Sequence, residues 1–241
     1  MATFVVVHGA HGGAWEWQVV ATMLRTDGHA VFTPTLTGLG QRVHLAHPDI
    51  DLDTHITDIC NVIEFEWLSD VILVGHSYAG MVITGVADRM AERLNQLVYL
   101  DAMVPHDGQS AADLLGPELA AQLIQLTEEV GEGWKFPYIP EPGKPVDPRY
   151  VPLPLKTGLT RVTLRNPAAL ALPRTFIYCT EDKELMATGA ALIAAGAAAR
   201  TDPAWRYFEM NTDHLPNLNQ PRELADILLS LAGEPVRLAV A

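Results

Sequence analysis

At 241 residues, 49% of them hydrophobic and 19% charged, the chain can bury one sizeable core within a single domain. Its 16 Lys and Arg stand against 29 Asp and Glu, a formal net charge of −13 that repels phosphate backbones and anionic lipid surfaces. Nucleic acid and membrane are therefore excluded as first readings, and a small neutral molecule is the expected partner.

Residues 3–7, Thr-Phe-Val-Val-Val, form the continuous apolar run of a parallel strand covered on both faces. The run ends in His8-Gly9-Ala10-His11-Gly12-Gly13, where small residues let backbone approach a ligand. A dinucleotide loop is the alternative, but G-x-G-x-x-G is absent and no cofactor is expected. Residues 15–26 have helical spacing, with Trp15, Val19 and Met23 on one face, and residues 30–33 read as a short strand cut by Pro34. His8, His11, His44, His47 and His55 match no metal-ligand spacing, so no metal is expected. Residues 53–67 predict an amphipathic helix whose core face carries Ile56, Ile59, Ile63 and Trp67.

The next stretch organises the rest. Val71-Ile72-Leu73-Val74 stops at Gly75-His76-Ser77, and small residues resume at Ala79-Gly80-Met81, the pattern of strand, sharp turn and helix. Such a turn is a nucleophile elbow, which lifts a serine oxygen above the sheet edge. Ala79 stands where the pattern G-x-S-x-G has its last glycine. The backbone N–H of Tyr78, together with that of Ala10 after the first strand, would form an oxyanion hole. A helix over 79–94 and a buried strand over 97–103 follow, and the alternation of strands with helices predicts a doubly wound parallel sheet.

Between 106 and 168 the pattern breaks. Prolines 137, 140, 142, 145, 148, 152 and 154 accompany Trp134, Phe136 and Tyr138, with short helices expected around 109–130. An insertion after the fourth strand lies where ligands bind such sheets, so 106–168 is expected to cap a core made of 1–105 and 169–241. Trp134 and Phe136 would line the substrate side. Strands over 174–180 and 205–210 then frame an alanine-rich helix that reaches about Arg200, and a helix over 222–231 closes the chain.

Three strand ends now offer Ser77, a carboxylate and His214, in the chain order Ser, Asp, His. Serine needs a histidine to take its proton, and the histidine needs a carboxylate to fix its tautomer. Asp182, just before the strand that delivers His214, is the favoured acid; Asp101 also ends a strand near the elbow, and Asp213 is badly aimed at its own neighbour. Cys60 and Cys179 have no C-x-x-C or metal-type partner and read as buried free thiols. With no basic segment ahead of the short apolar run at 4–7, a cytoplasmic protein is expected, monomer or homodimer.

His8-Gly9-Ala10, Gly13, Trp15, Trp17, Gly75-His76-Ser77, Gly80-Met81, Cys179-Thr180-Glu181-Asp182-Lys183 and Asp213-His214 resemble the plant methylesterase and hydroxynitrile lyase branch of the α/β-hydrolase superfamily. The resemblance covers about 3–105 and 174–231 and fails in the cap. It implies an α/β-hydrolase fold with six mostly parallel strands. It also implies Ser77 as nucleophile, His214 as base, Asp182 as acid, and Ala10 with Tyr78 as oxyanion donors. Lyases of that branch carry a lysine just after the histidine. Leu215 stands there, so an esterase acting on small, largely apolar esters is expected, with Leu215 at the substrate. A carbamate or amide hydrolase with the same residues, a lyase, and a non-catalytic receptor are the alternatives.

Overall fold

Apolar, β-branched runs become the strands of one sheet. The computed structural model describes residues 1–140, 147–186 and 188–233. β1 (Thr3–Val7), β2 (Ala30–Phe32), β3 (Val71–His76) and β4 (Leu94–Leu100) are separated by α1 (Gln18–Thr26), α2 (Leu52–Phe65) and α3 (Ala79–Met90). After β4 come α4 (Ala111–Leu115), α5 (Pro117–Val130), a small antiparallel ribbon of β5 (Lys135–Phe136) and β6 (Leu153–Pro154), α6 (Leu155–Leu159) and α7 (Pro167–Leu170). The main sheet resumes with β7 (Arg174–Cys179), α8 (Gly189–Thr201) and β8 (Trp205–Met210), and the fold closes with α9 (Pro216–Asn219) and α10 (Pro221–Ala232).

The six main strands run in the order β2-β1-β3-β4-β7-β8, every neighbouring pair parallel, as the alternation of elements implies. Successive side chains of a strand face opposite sides. Phe4 and Val6 pack with Leu24 of α1 and Leu228 of α10, while Val5 and Val7 pack with Ile59 of α2 and Ile83 of α3. Both faces are covered, which is why these strands read as unbroken apolar runs. From β1 the chain leaves to one side for β2 and returns on the other for β3, so the switch point lies between the ends of β1 and β3. Ligands of open parallel sheets bind at that crevice.

Two expected helix faces are corrected. Val19 is 50% exposed, because residues 14–17 form a 3₁₀ turn that rotates the buried stripe onto Trp17, Val20, Ala21 and Leu24. Trp67 is 81% exposed: α2 stops at Phe65, and Trp67 sits at φ +52°, off the helical register of Ile63. The strand expected from 97 begins at Leu94, which pairs with Val71.

The segment after β4 is pinned by local chemistry rather than long periodicity. Ser110 and Asp113 form a reciprocal capping box at α4, and Pro117 opens α5. Val151 donates to the His11 carbonyl at 3.0 Å and accepts from His11 Nδ1 at 2.9 Å, which seats this segment on the loop after β1. Pro142 and Pro145 lie outside the described residues. Cys179 is buried and Cys60 half-buried, both free. Among the described residues no helix is long and apolar enough to cross a membrane.

Candidate active site

The elbow forms as its sequence requires. Ser77 occupies the left-handed region at φ +57°, held there by its N–H on the Leu100 carbonyl (3.1 Å) and by Met103 N–H on its own carbonyl (3.0 Å). A non-glycine residue in that region costs about 1–3 kcal/mol and persists only where its surroundings impose it. A Cβ on Gly75 would lie 2.8 Å from the Ala79 carbonyl oxygen, and one on Gly80 would overlap the Met103 carbonyl. The close approaches therefore fall at Gly75 and Gly80, and the Ala79 side chain is simply buried in the core.

His214, delivered by the turn after β8, bridges two groups. Its Nε2 lies 2.8 Å from Ser77 Oγ and its Nδ1 lies 2.5 Å from Asp101 Oδ2. An ionised carboxylate only accepts, so Nδ1 carries the proton and Nε2 is free to accept from the serine hydroxyl. Asp101 is fully buried, and burial alone would raise its pKa. The hydrogen bond and charge of His214, reinforced by Lys183, more than offset that and hold the carboxyl below its usual range.

The carboxylate that meets His214 is therefore Asp101, which corrects the expectation that Asp182 would lie there. In the β3–β4 register His76 pairs with Leu100, so Ser77 and Asp101 leave their strands at the same rung, both in left-handed backbone, Asp101 at φ +43°. Asp182 also has left-handed backbone, φ +60°, but it opens a 3₁₀ turn with its side chain exposed, and its described contacts do not reach His214. The next residue, Lys183, turns inward in its place, 3% exposed.

Sequence reasoning passed over His76. Its Nε2–H donates to the His214 carbonyl at 2.7 Å and its ring stands 4.6 Å from the His214 ring, so the elbow itself positions the histidine loop. Burial first, then the neighbouring His214, lowers the His76 pKa to about 3 and keeps it neutral. Its signal was only its place beside the serine. The other buried histidines serve the backbone. His8 accepts from Leu36 N–H at Nε2 and donates from Nδ1 to the Gly9 carbonyl, and burial lowers its pKa to about 4. His55 donates to the Thr37 carbonyl from Nε2 and accepts from the Tyr78 hydroxyl at 3.1 Å.

Ala10 and Tyr78 flank the switch point. A Cβ on Gly9 would come within 3.2 Å of Ser77 Cβ, so the loop after β1 runs directly past the elbow. Among the described residues, neither the Ala10 nor the Tyr78 amide donates in a turn, loop or cap hydrogen bond. Phe136 lies in the ribbon above this loop, its ring 5.3 Å from His11. Trp134 is partly buried beneath the Lys135 ammonium, 5.0 Å from its ring, and Leu215 is half-buried next to His214. A separate cavity of about 680 Å³ lies between α3, β4, α7 and α8, floored by Tyr99 and Trp205; neither Ser77 nor His214 lines it.

Glu16 sits under the glycine turn, 3% exposed, and burial pushes its carboxyl up to about 7, against the opposing pull of Tyr150 and Arg149. The native state thus holds this proton more tightly than the unfolded chain, and the associated stability is lost as pH rises from about 4.5 through about 7. Glu16→Gln is expected to raise stability by roughly 2–3 kcal/mol near pH 8 and to leave it nearly unchanged near pH 4. Thermal denaturation at the two pH values checks the sign.

A serine on a left-handed strand-to-helix turn, at the switch point of a six-stranded doubly wound sheet, defines the α/β-hydrolase class of architecture. The chain belongs to the alpha/beta hydrolase family, whose model matches residues 4–227. It is 56% identical over 128 residues to the carbendazim hydrolyzing esterase of Nocardioides sp. (strain SG-4G), an alignment that spans 52% of this chain and about half, 53%, of that relative. It is 26% identical to methylesterase 1 of Arabidopsis thaliana over 96% of both chains. One solved structure is an extracellular alpha/beta-hydrolase from a Paenibacillus species, described as structurally and functionally homologous to tobacco salicylic acid binding protein 2. It matches with a TM-score of 0.83 at 25% identity, over 97% of this chain and 100% of that one. These relatives support the methylesterase-like branch that the motifs resemble.

Proposed function

We propose that this protein is a serine esterase that cleaves small, largely apolar esters through an acyl-enzyme on Ser77. The observation that carries the reading is His214, bonded at once to Ser77 Oγ and Asp101 Oδ2. In attack, His214 Nε2 takes the serine proton as Oγ bonds to the ester carbonyl carbon, and the carbonyl oxygen becomes an oxyanion facing the Ala10 and Tyr78 amides. When the intermediate collapses, the same proton passes to the departing alkoxide, which leaves as the alcohol. Water then attacks the acyl-enzyme by the same steps in reverse, releasing the acid and restoring the serine.

Asp101 acts in this scheme by holding Nδ1–H and by stabilising the imidazolium formed in each half-reaction. Phe136, Trp134 and Leu215 supply apolar surface for the substrate, with residues 106–168 as the cap and the remainder as the core. Leu215 favours hydrolysis over a lyase reaction, because an apolar side chain cannot steady a departing anion.

A carbamate or amide hydrolase is the second reading, since the same groups serve any acyl transfer. The relative named for hydrolysing carbendazim makes that compound a specific substrate to test. The deciding experiment is a panel of methyl and aryl esters, carbendazim, and matched carbamates and anilides, with Ser77→Ala as the blank. Ser77-dependent ester hydrolysis supports the reading, and a panel without any Ser77-dependent turnover overturns it.

A further inference from the structure

The loop after β7 was expected to supply the acid, and it supplies a cation. Lys183 is 3% exposed and Asp101 fully buried, and Lys183 Nζ bonds to Asp101 Oδ2, the oxygen that also holds His214 Nδ1. Beneath Nζ lies the Tyr178 ring, 5.3 Å to its centre. A buried ammonium is costly unless paired, so a lysine carried this far inside has its place fixed by the carboxylate it meets.

We propose that Lys183 is a positioning residue of the active site, which locks the Asp101 carboxylate by the oxygen that His214 uses and sets the pH range in which His214 works as a base. The proposal rests on the reading that Ser77 and His214 perform acyl transfer. Two consequences follow from the shared oxygen. Asp101 cannot swing away from His214 without abandoning the lysine as well. The ammonium also offsets the carboxylate charge, so the pair gives an imidazolium less support than a lone buried carboxylate would.

Other titratable groups face this pair from the elbow, from β7, from β4 and from the turns beside it. From the elbow, His76 is held neutral by burial, with its pKa lowered to about 3. From β7, burial raises both the Cys179 thiol and the Tyr178 phenol, and neither ionises near neutrality. Asp101 from β4 is held below the carboxylate range. Asp213 beside His214 accepts from Leu215 N–H and the Asn219 amide, and Asp182 and Glu184, which flank Lys183, are exposed.

The test is the pH dependence of kcat/KM for a p-nitrophenyl ester in Lys183→Met, Lys183→Gln and Lys183→Arg. Removing the charge is expected to move the acid-side limb up by about one pH unit, and Lys183→Arg to keep it near its original position. If Lys183→Met fails to fold, Lys183→Gln, which keeps a donor for Asp101 and loses the charge, decides the matter. The downfield NMR resonance of His214 Nδ1–H, followed against pH in the Ser77→Ala background, reads the same shift without turnover. A limb and resonance unmoved in folded neutral variants overturn the proposal. A wild-type protein with no Ser77-dependent hydrolysis overturns the esterase reading instead, and the NMR titration still decides for or against the lysine.

Discussion

Asp101→Asn is expected to lower kcat/KM on a small ester by roughly 10³–10⁴-fold, while Asp182→Asn leaves it within about twofold. The asparagine is nearly isosteric, but it can present its amide NH₂ to His214 Nδ1. That partner favours the wrong tautomer and leaves Nε2 protonated, unable to accept from Ser77. The buried lysine also loses its counter-charge, so a stability loss of about 3–5 kcal/mol can accompany the activity loss. Circular dichroism on the same preparation separates the two. Asp182 lies exposed on a turn, where a neutral isostere disturbs little. A large loss in Asp182→Asn with normal activity in Asp101→Asn would return the acid role to the loop after β7.

Ser77→Ala is expected to abolish ester hydrolysis by 10⁴-fold or more, roughly to the background left by binding and oxyanion stabilisation. The fold should survive. Ser77 holds its backbone through N–H and carbonyl bonds that alanine retains, and the hydroxyl contributes one hydrogen bond, to a half-buried histidine. Serine already bears the strain of φ near +57°, so the substitution changes little there, and a small stability loss of about 1 kcal/mol from the lost bond to His214 is expected on melting. Wild type should instead release p-nitrophenol from its acetate in a burst of about one equivalent per chain when deacylation is slow.

Much of this site is legible in the residues because its parts rest on local chemistry. The β1 and β3 runs read directly as buried strands, and Gly75-His76-Ser77 carries its turn geometry in its own small residues. His214 follows from the last strand and the chain order of the class. The acid did not follow, since Asp101 and Asp182 both end strands and both take left-handed backbone. Only the β3–β4 register, which sets Asp101 level with Ser77, and the outward turn at Asp182 separate them. Neither leaves a trace in a single sequence.

The helix faces failed for a related reason. A 3₁₀ turn before α1 and the early stop of α2 shift the register, so Val19 and Trp67 reach solvent. Prolines and aromatic residues mark 106–168 as an expected insertion, but the path of the segment after β4 depends on a capping box and on contacts with His11 that periodicity does not encode. Lys183 stands among the residues that carry the resemblance, yet its inward path is a tertiary property. A lone lysine in a loop is ordinarily solvated.

Whether the Ser77 hydroxyl is an activated nucleophile is tested most directly by intact-mass and peptide analysis after treatment with a fluorophosphonate. One adduct per chain is predicted, located on the peptide that contains Ser77, with labelling slowed by at least about 10³-fold in His214→Ala. A folded protein that takes up no label, or carries it on another residue while Ser77 stays unmodified, would contradict the account.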